Sequence, residues 1–139
     1  MVFTIGTFKG QKSRLAAFFA FPKSDKKLPG ILHIHGGGGR AQTSAVIWAA
    51  ENGYAGLSIN WLGNPMDKME AGDANTDWGA IDATQKHNTH YDSAGAAKAD
   101  PKTLDTIESP RNNNWFLLVL AAWRALSFFS AWGSSMEAN

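Results

Sequence analysis

His35 is followed by four consecutive glycines, Gly36 to Gly39. The run Ile31 to His35 before them is short and apolar, which predicts a buried strand that breaks at the glycines. A loop that points successive N–H groups at an oxyanion needs positive φ angles and close backbone approach, and a Cβ obstructs both. This spacing predicts an oxyanion-binding loop with donors from the backbone of Gly36, Gly37 and Gly38.

A phosphate-binding loop is the main alternative, because glycine N–H groups and helix N-termini suit phosphate equally well. A Walker loop requires Lys and then Ser or Thr after its last glycine, whereas Arg40 and Ala41 stand there. The dinucleotide fingerprint G-x-G-x-x-G is not met either. The oxyanion interpretation is therefore preferred.

The segments around the loop predict an α/β fold. Val2 to Phe8 and Leu15 to Phe21 are rich in strand-forming residues and predict an antiparallel hairpin. Ala41 to Glu51 favours a helix, and Ala55 to Trp61 alternates with the period of two that a strand requires. A strand, helix, strand unit of this length makes its two strands parallel, and the hairpin then lies at one edge of the sheet.

Two further segments complete the chain, which we expect to form one domain over residues 1–139. From Leu62 to Glu108 the periodicity disappears, and this segment is far longer than ordinary connections, so we expect a packed, cover-like loop. The last element is expected to be a helix that begins at Ser109-Pro110 and runs through Phe128 or Phe129. Gly133 is expected to end it.

Composition narrows the classes of function. The chain has 139 residues, 44% of them hydrophobic, which suits one globular domain with a core. Its formal net charge is +1, with basic and acidic residues scattered, so we expect no nucleic acid partner. Arg124 interrupts the apolar run Trp115 to Trp132, which favours a buried helix over a membrane span. The absence of cysteine excludes disulfides, and the absence of a signal-like start makes the cytoplasm the expected location.

Several segments occur in an order that resembles a known family. They are the HGGG loop within Leu28 to Gly38, then Glu51 to Ala55, Thr76 to Ala80 and Glu108 to Leu117. The family is that of α/β-hydrolase esterases related to dienelactone hydrolases and acetyl xylan esterases, and the resemblance covers roughly Phe18 to Phe129. It implies a partial α/β-hydrolase fold, corresponding to the N-terminal portion of the family.

The resemblance implies acyl transfer, in which a serine attacks an ester carbonyl and backbone N–H groups bind the resulting oxyanion. We therefore expect a carboxylic ester hydrolase that acts on small acyl or acetyl esters without a cofactor. In the family the nucleophile lies on a G-x-S-x-G elbow that follows a strand. The closest match is Gly133 to Glu137, in which Ser135 is the candidate nucleophile, Glu137 replaces the second glycine and no strand precedes. The alternative is a catalytically incomplete hydrolase with at most a binding or interaction role.

Four residues are candidates for the substrate pocket. Trp61 ends a strand on the carboxyl side, where ligands of open α/β sheets bind, and Asp77 and Trp78 lie in the long loop. His35 is expected to shape the oxyanion loop rather than to abstract protons. Burial of both tryptophans in the core is an equally good interpretation.

A metal hydrolase was the remaining alternative. His33 and His35 lie two residues apart on one strand face, and His87 and His90 lie among the acidic residues of the long loop. None of the usual zinc spacings, such as H-E-x-x-H, is present. We therefore expect no metal, and His33 is interpreted as a core histidine.

The resemblance also has a consequence for assembly. It places the hairpin and Ala55 to Trp61 on one side of the strand Ile31 to His35, and the nucleophile strand on the other side. Without that last strand, an apolar edge and part of the final helix are uncovered, and open edges recruit other chains. We expect a homo-oligomer joined through this edge or the final helix.

Overall fold

The computed structural model describes residues 1–8, 11–61, 63–73, 76–77 and 114–136. Within these residues the chain forms four strands and two helices. In chain order they are β1 (Val2–Phe8), β2 (Gln11–Ala20), β3 (Gly30–Ile34), α1 (Thr43–Glu51), β4 (Ala55–Ile59) and α2 (Asn114–Met136).

The four strands form one mixed sheet in the order β1-β2-β4-β3. β1 and β2 pair antiparallel, which confirms the predicted hairpin, and β2 also pairs antiparallel with β4. β3 and β4 pair parallel across α1, which confirms the predicted strand, helix, strand unit. β3 is thus an edge strand of the described sheet, with β4 and the hairpin on one side as expected. The α/β class is confirmed.

The helices cover opposite faces of this sheet because side chains alternate along each strand. On β4, Leu57 and Ile59 are fully buried in a cluster with Ala121 and Ala125 of α2. Gly56, the residue before Leu57, faces α1 instead. The sheet is therefore the middle of three layers, and all five residues of β4 are buried.

Close packing of α1 on the sheet depends on Gly56. A Cβ at this position would lie 2.7 Å from the Cβ of Ala49 and 3.0 Å from the Cα of Val46. Such distances are shorter than van der Waals contact, so any larger residue would push the helix away from β4. The position of α1, and with it the end of the glycine loop, follows from this contact.

The other face holds the main core. It combines Ile5 and Leu15 of the hairpin with Leu57 and Ile59, all without exposed surface. Burying a side chain of this size contributes roughly 1.5–3 kcal/mol. α2 crosses this face with small residues against the sheet, since Ala121 is also fully buried. The core thus fixes β4, whose carboxyl end lies beside the glycine loop.

Some predicted boundaries are wrong. β2 begins at Gln11, not Leu15, because its first residues pair with the end of β1, where Phe8 lies opposite Gln11. α2 continues through Gly133 to Met136. A glycine costs a helix about 1 kcal/mol relative to alanine, which is too little to stop a long helix packed on a sheet. The predicted start at Ser109-Pro110 lies outside the described residues.

Neither helix of the described part is long and apolar enough to cross a membrane. The run containing Arg124 is a helix, as predicted, but only one side of it is buried against the sheet, and Val119 and Trp123 on the other side are exposed. Of the predicted cover-like loop, the structure describes residues 63–73 and 76–77. The rest of that prediction lies outside the described residues.

Candidate functional site

The glycines form a tight turn directly after β3. The N–H of Gly39 donates a 3.0 Å hydrogen bond to the backbone oxygen of Gly36, and Gly38 has a φ of 76°. Gly37 is outside the positive region of φ, so the geometry is that of a type II turn, which demands glycine at its third position. The turn lies at the carboxyl end of β3, where ligands of open α/β sheets bind.

The outer side of the turn is open. Gly36, Gly37 and Gly38 are exposed, and no described atom lies within 4 Å of a Cβ built on any of them. Within the part of the chain that the structure describes, the N–H groups of Gly37 and Gly38 donate to no protein acceptor. Both donors are therefore available to a ligand.

The inner side of the turn packs tightly on His35. A Cβ on Gly39 would lie 3.0 Å from both the backbone oxygen of Gly36 and the Nδ1 atom of His35. The Nδ1 of His35 itself lies 2.8 Å from the oxygen of Gly36. Because a carbonyl oxygen can only accept, Nδ1 carries the proton and donates. His35 thus holds the inner side of the turn.

His35 is in turn held by Trp61. Their rings stack with centroids 5.5 Å apart and an interplanar angle of 17°, and Trp61 Nε1 donates a 2.7 Å hydrogen bond to the backbone oxygen of His35. Burial lowers the pKa of His35, and this effect outweighs the hydrogen bond to Gly36, which acts in the opposite direction. Within the described part, the Nε2 atom of His35 is buried without a hydrogen-bond partner. His35 is therefore neutral, with its proton on Nδ1.

The loop is also fastened to the segment that follows β4. Asn60 accepts a 3.1 Å hydrogen bond from the N–H of Ala41 and donates one of 2.7 Å to the backbone oxygen of Asn64. Asn64 donates a 2.7 Å bond to the backbone oxygen of Gly39. These two amides hold the exit of the glycine turn. Neither amide was predicted from the sequence, although their position just after β4, at the ligand-binding edge of the sheet, was a signal.

A distant carboxylate caps α1. Asp67 accepts hydrogen bonds from the hydroxyl and the N–H of Thr43, at 2.8 and 3.2 Å, and these bonds lower its pKa. The residue at the N-cap position, Gln42, makes no side-chain cap, and its N–H donates to the Ser58 hydroxyl at 3.0 Å. The negative charge of Asp67 already complements the positive end of the helix dipole.

A shallow cavity lies beside the turn at the start of α1. Its volume is about 270 Å³, close to the lower end of the range for small-molecule sites. The lining is polar and consists of Gly39, Arg40, Gln42, Ser44 and Asp67. The cavity therefore adjoins the end of the glycine turn at Gly39.

Of the other predicted pocket residues, the structure describes Trp61 and Asp77. Trp61 is only 4% exposed and belongs to the core, so it supports the loop from behind. Asp77 accepts a 2.9 Å hydrogen bond from the N–H of Gly72 within a local turn. Trp78 lies outside the described residues, as do His87 and His90.

Ser135 lies in the last turn of α2, within helical backbone. The structure thus places the candidate nucleophile on a helix, whereas the elbow of the family is a turn between a strand and a helix. Its side chain is outside what the structure describes.

His33 and His35 are both engaged in structural hydrogen bonds. The Nδ1 of His33 lies 2.8 Å from the Ser58 hydroxyl, and Ser58 is fully buried beneath α1. Among the described residues, no three His, Cys, Asp or Glu side chains are grouped as a metal site would require. His33 is half-buried, so the predicted core position is met only in part.

Comparison of the chain with protein-family models, with curated proteins and with solved structures finds no match. The α/β class therefore follows from the described strands and helices alone, and the relationship to α/β-hydrolase esterases stays a prediction.

Proposed function

We propose that the chain is a carboxylic ester hydrolase of the α/β-hydrolase type, acting on small acyl or acetyl esters. The glycine turn is its oxyanion hole. The observation that carries this proposal is the pair of exposed, unpaired N–H groups of Gly37 and Gly38 at the carboxyl end of β3. No cofactor is required for acyl transfer of this kind.

The turn is suited to this role because it is preorganised. The oxygen of a tetrahedral intermediate would accept from the free N–H groups, and one such donor lowers the barrier by roughly 2.7–4 kcal/mol. That contribution requires donors that need no rearrangement during the reaction. Hydrogen bonds from His35 and Asn64 to backbone oxygens at the two ends of the turn supply this rigidity.

A second candidate function is binding without hydrolysis, in a catalytically incomplete hydrolase. The helical position of Ser135 favours it, because a serine within a helix lacks the exposed, strained geometry of a nucleophile elbow. In this case the glycine turn would still bind small carboxylates, which resemble the product of ester hydrolysis.

Labelling with a fluorophosphonate probe separates the two candidates, since the probe reacts with an activated serine. For the hydrolase, we expect one serine adduct, mapped by mass spectrometry, that is lost in Ser135→Ala and kept in Ser134→Ala. An adduct that persists in Ser135→Ala assigns the nucleophile to another serine. Absence of any adduct, together with acetate-induced shifts of the Gly37 and Gly38 amide signals in NMR spectra, supports binding alone.

A further inference from the structure

α2 carries apolar residues on two sides. One side packs on the sheet through Ala121 and Ala125, which have no exposed surface. The other side carries a stripe of four large apolar residues that remain exposed. These are Phe116 at 40%, Val119 at 64%, Trp123 at 70% and Leu126 at 56% exposed. We call these four residues the outer stripe.

The spacing of the outer stripe is that of the residues through which two helices of a coiled coil contact each other. Its residues are separated by three, four and three positions, which is the a/d pattern of a heptad repeat. At 3.6 residues per turn, this spacing places them along one line of the helix. A helix that faces only solvent carries polar residues there, so the pattern indicates a second helix as the partner.

The chemistry of the stripe favours a second copy of the same chain. Arg124 is the one charged residue of α2, and it is rotated about 100° away from its neighbour Trp123. A two-fold axis therefore brings the stripe onto itself without like-charge repulsion, and no charge is present to select a different protein. The Ser127 hydroxyl beside the stripe donates to the backbone oxygen of Trp123 at 3.0 Å, so its burial leaves no unpaired donor.

The exposed area is compatible with a dimer. With about 150–250 Å² for a fully exposed large side chain, the outer stripe presents on the order of 400 Å². A standard interface buries about 800 Å² per partner, and its apolar centre is surrounded by a polar rim. The outer stripe supplies such a centre. By contrast, the open edge of β3 is five residues long and exposes one large apolar side chain, Ile34.

We propose that α2 pairs with α2 of a second copy through the outer stripe, forming a symmetric homodimer. This proposal does not depend on the proposed ester hydrolysis. A membrane surface is the other class of partner for exposed Trp and Phe, but Arg124 is the single basic residue of α2, whereas the polar face of a membrane-binding helix is rich in Lys and Arg.

Sedimentation velocity at micromolar concentration tests the proposal. We expect a mass twice the 15.0 kDa of one chain. Trp123→Glu should weaken dimerisation by at least about 30-fold, as expected for a central aromatic residue of an interface. Trp48→Glu is the matched control, because Trp48 is 57% exposed on α1 and should leave the dimer intact. A monomeric wild type, or equal effects of the two variants, would overturn the proposal.

Cross-linking gives a readout that does not depend on the folding of Trp123→Glu. The chain has no cysteine, so Val119→Cys introduces a unique thiol in the outer stripe. A flexible bismaleimide should join two chains of Val119→Cys and leave Ile47→Cys, on α1, uncoupled. Equal cross-linking of both variants contradicts the interface. Loss of binding to neutral lipid vesicles in Trp123→Glu, with a monomeric wild type, would assign the stripe to a membrane instead.

Discussion

Trp61 donates a 2.7 Å hydrogen bond through its indole nitrogen to the backbone oxygen of His35, and the two rings stack. This contact joins the end of β4 to the residue that begins the glycine turn. Trp61 is a core residue that also supports the site, because it holds His35 and the glycine turn begins at His35.

Replacing Trp61 by phenylalanine should destabilise the protein. Trp61→Phe keeps an aromatic ring and removes the donor, so the buried oxygen of His35 is left unpaired, which costs about 1–3 kcal/mol. Urea denaturation measures the change. Trp48→Phe, at an exposed position on α1, should change the free energy of unfolding by less than about 0.5 kcal/mol. Equal stability of Trp61→Phe and the wild type contradicts the supporting role of the hydrogen bond.

The pKa of His35 makes stability depend on pH. Burial lowers the pKa of His35 in the folded chain below its value of about 6.5 in the unfolded chain. Between these two pKa values, the unfolded chain binds more protons than the folded chain. The contribution of neutral His35 is therefore complete above about pH 6.5 and is lost as the pH falls through the folded pKa. An NMR titration of the imidazole protons should give a midpoint below that of a free histidine.

His35→Asn is the matched variant, because its side-chain amide can donate to Gly36 as Nδ1 does, but it does not titrate. Its free energy of unfolding should fall less between pH 7 and pH 5 than that of the wild type. Identical slopes for the two proteins would show that His35 does not contribute to acid sensitivity.

Asp67 should stabilise α1 as its N-terminal cap. Asp67→Ala removes both hydrogen bonds to Thr43, and loss of a cap costs roughly 0.5–2 kcal/mol. Since these bonds lower the pKa of Asp67, its contribution is present above the unfolded pKa of about 3.9 and is lost as the pH falls through the folded pKa. Thermal unfolding at pH 7 measures the effect. Gln42→Ala should change the thermal stability little, because the Gln42 side chain makes no cap. A larger loss of stability in Gln42→Ala than in Asp67→Ala would contradict the assignment of Asp67 as the cap of α1.

The glycines of the turn should differ in their tolerance of a methyl group. Gly39→Ala places a Cβ 3.0 Å from His35 and from the backbone oxygen of Gly36, and overpacking of this kind costs roughly 1–3 kcal/mol. Gly36→Ala meets no described atom within 4 Å and should be near neutral. Chemical denaturation of both variants tests this order, and the reverse order would contradict the observed turn.

The sequence predicted the strands and α1 because their patterns are local. Alternation over residues 55 to 61 and the apolar run before the glycines each specify a strand without reference to distant residues. The glycine turn was equally local, since Gly38 supplies the positive φ that the turn requires. Helix continuation through Gly133 was not predicted, because packing on a sheet outweighs a weak local preference.

The supports of the turn could not be predicted, because they join residues far apart in the chain. Asn64 is 25 residues from Gly39, and Asp67 is 24 residues from Thr43. No periodicity or motif relates such pairs, and only the register of β3 and β4 brings them together. The sequence left the role of Trp61 open for the same reason, because a residue at the end of a strand can lie either in a pocket or in the core.

Ester turnover by Gly37→Val shows whether the N–H groups of the turn stabilise an oxyanion. Gly37 has open space around it and no positive φ, so valine should leave the fold intact while shielding the donors. With a nitrophenyl acetate substrate, kcat/KM should fall on the order of 100 to 1,000-fold, the usual contribution of one oxyanion donor. Unchanged turnover in a folded Gly37→Val protein, or wild-type turnover no faster than the buffer, would contradict the claim.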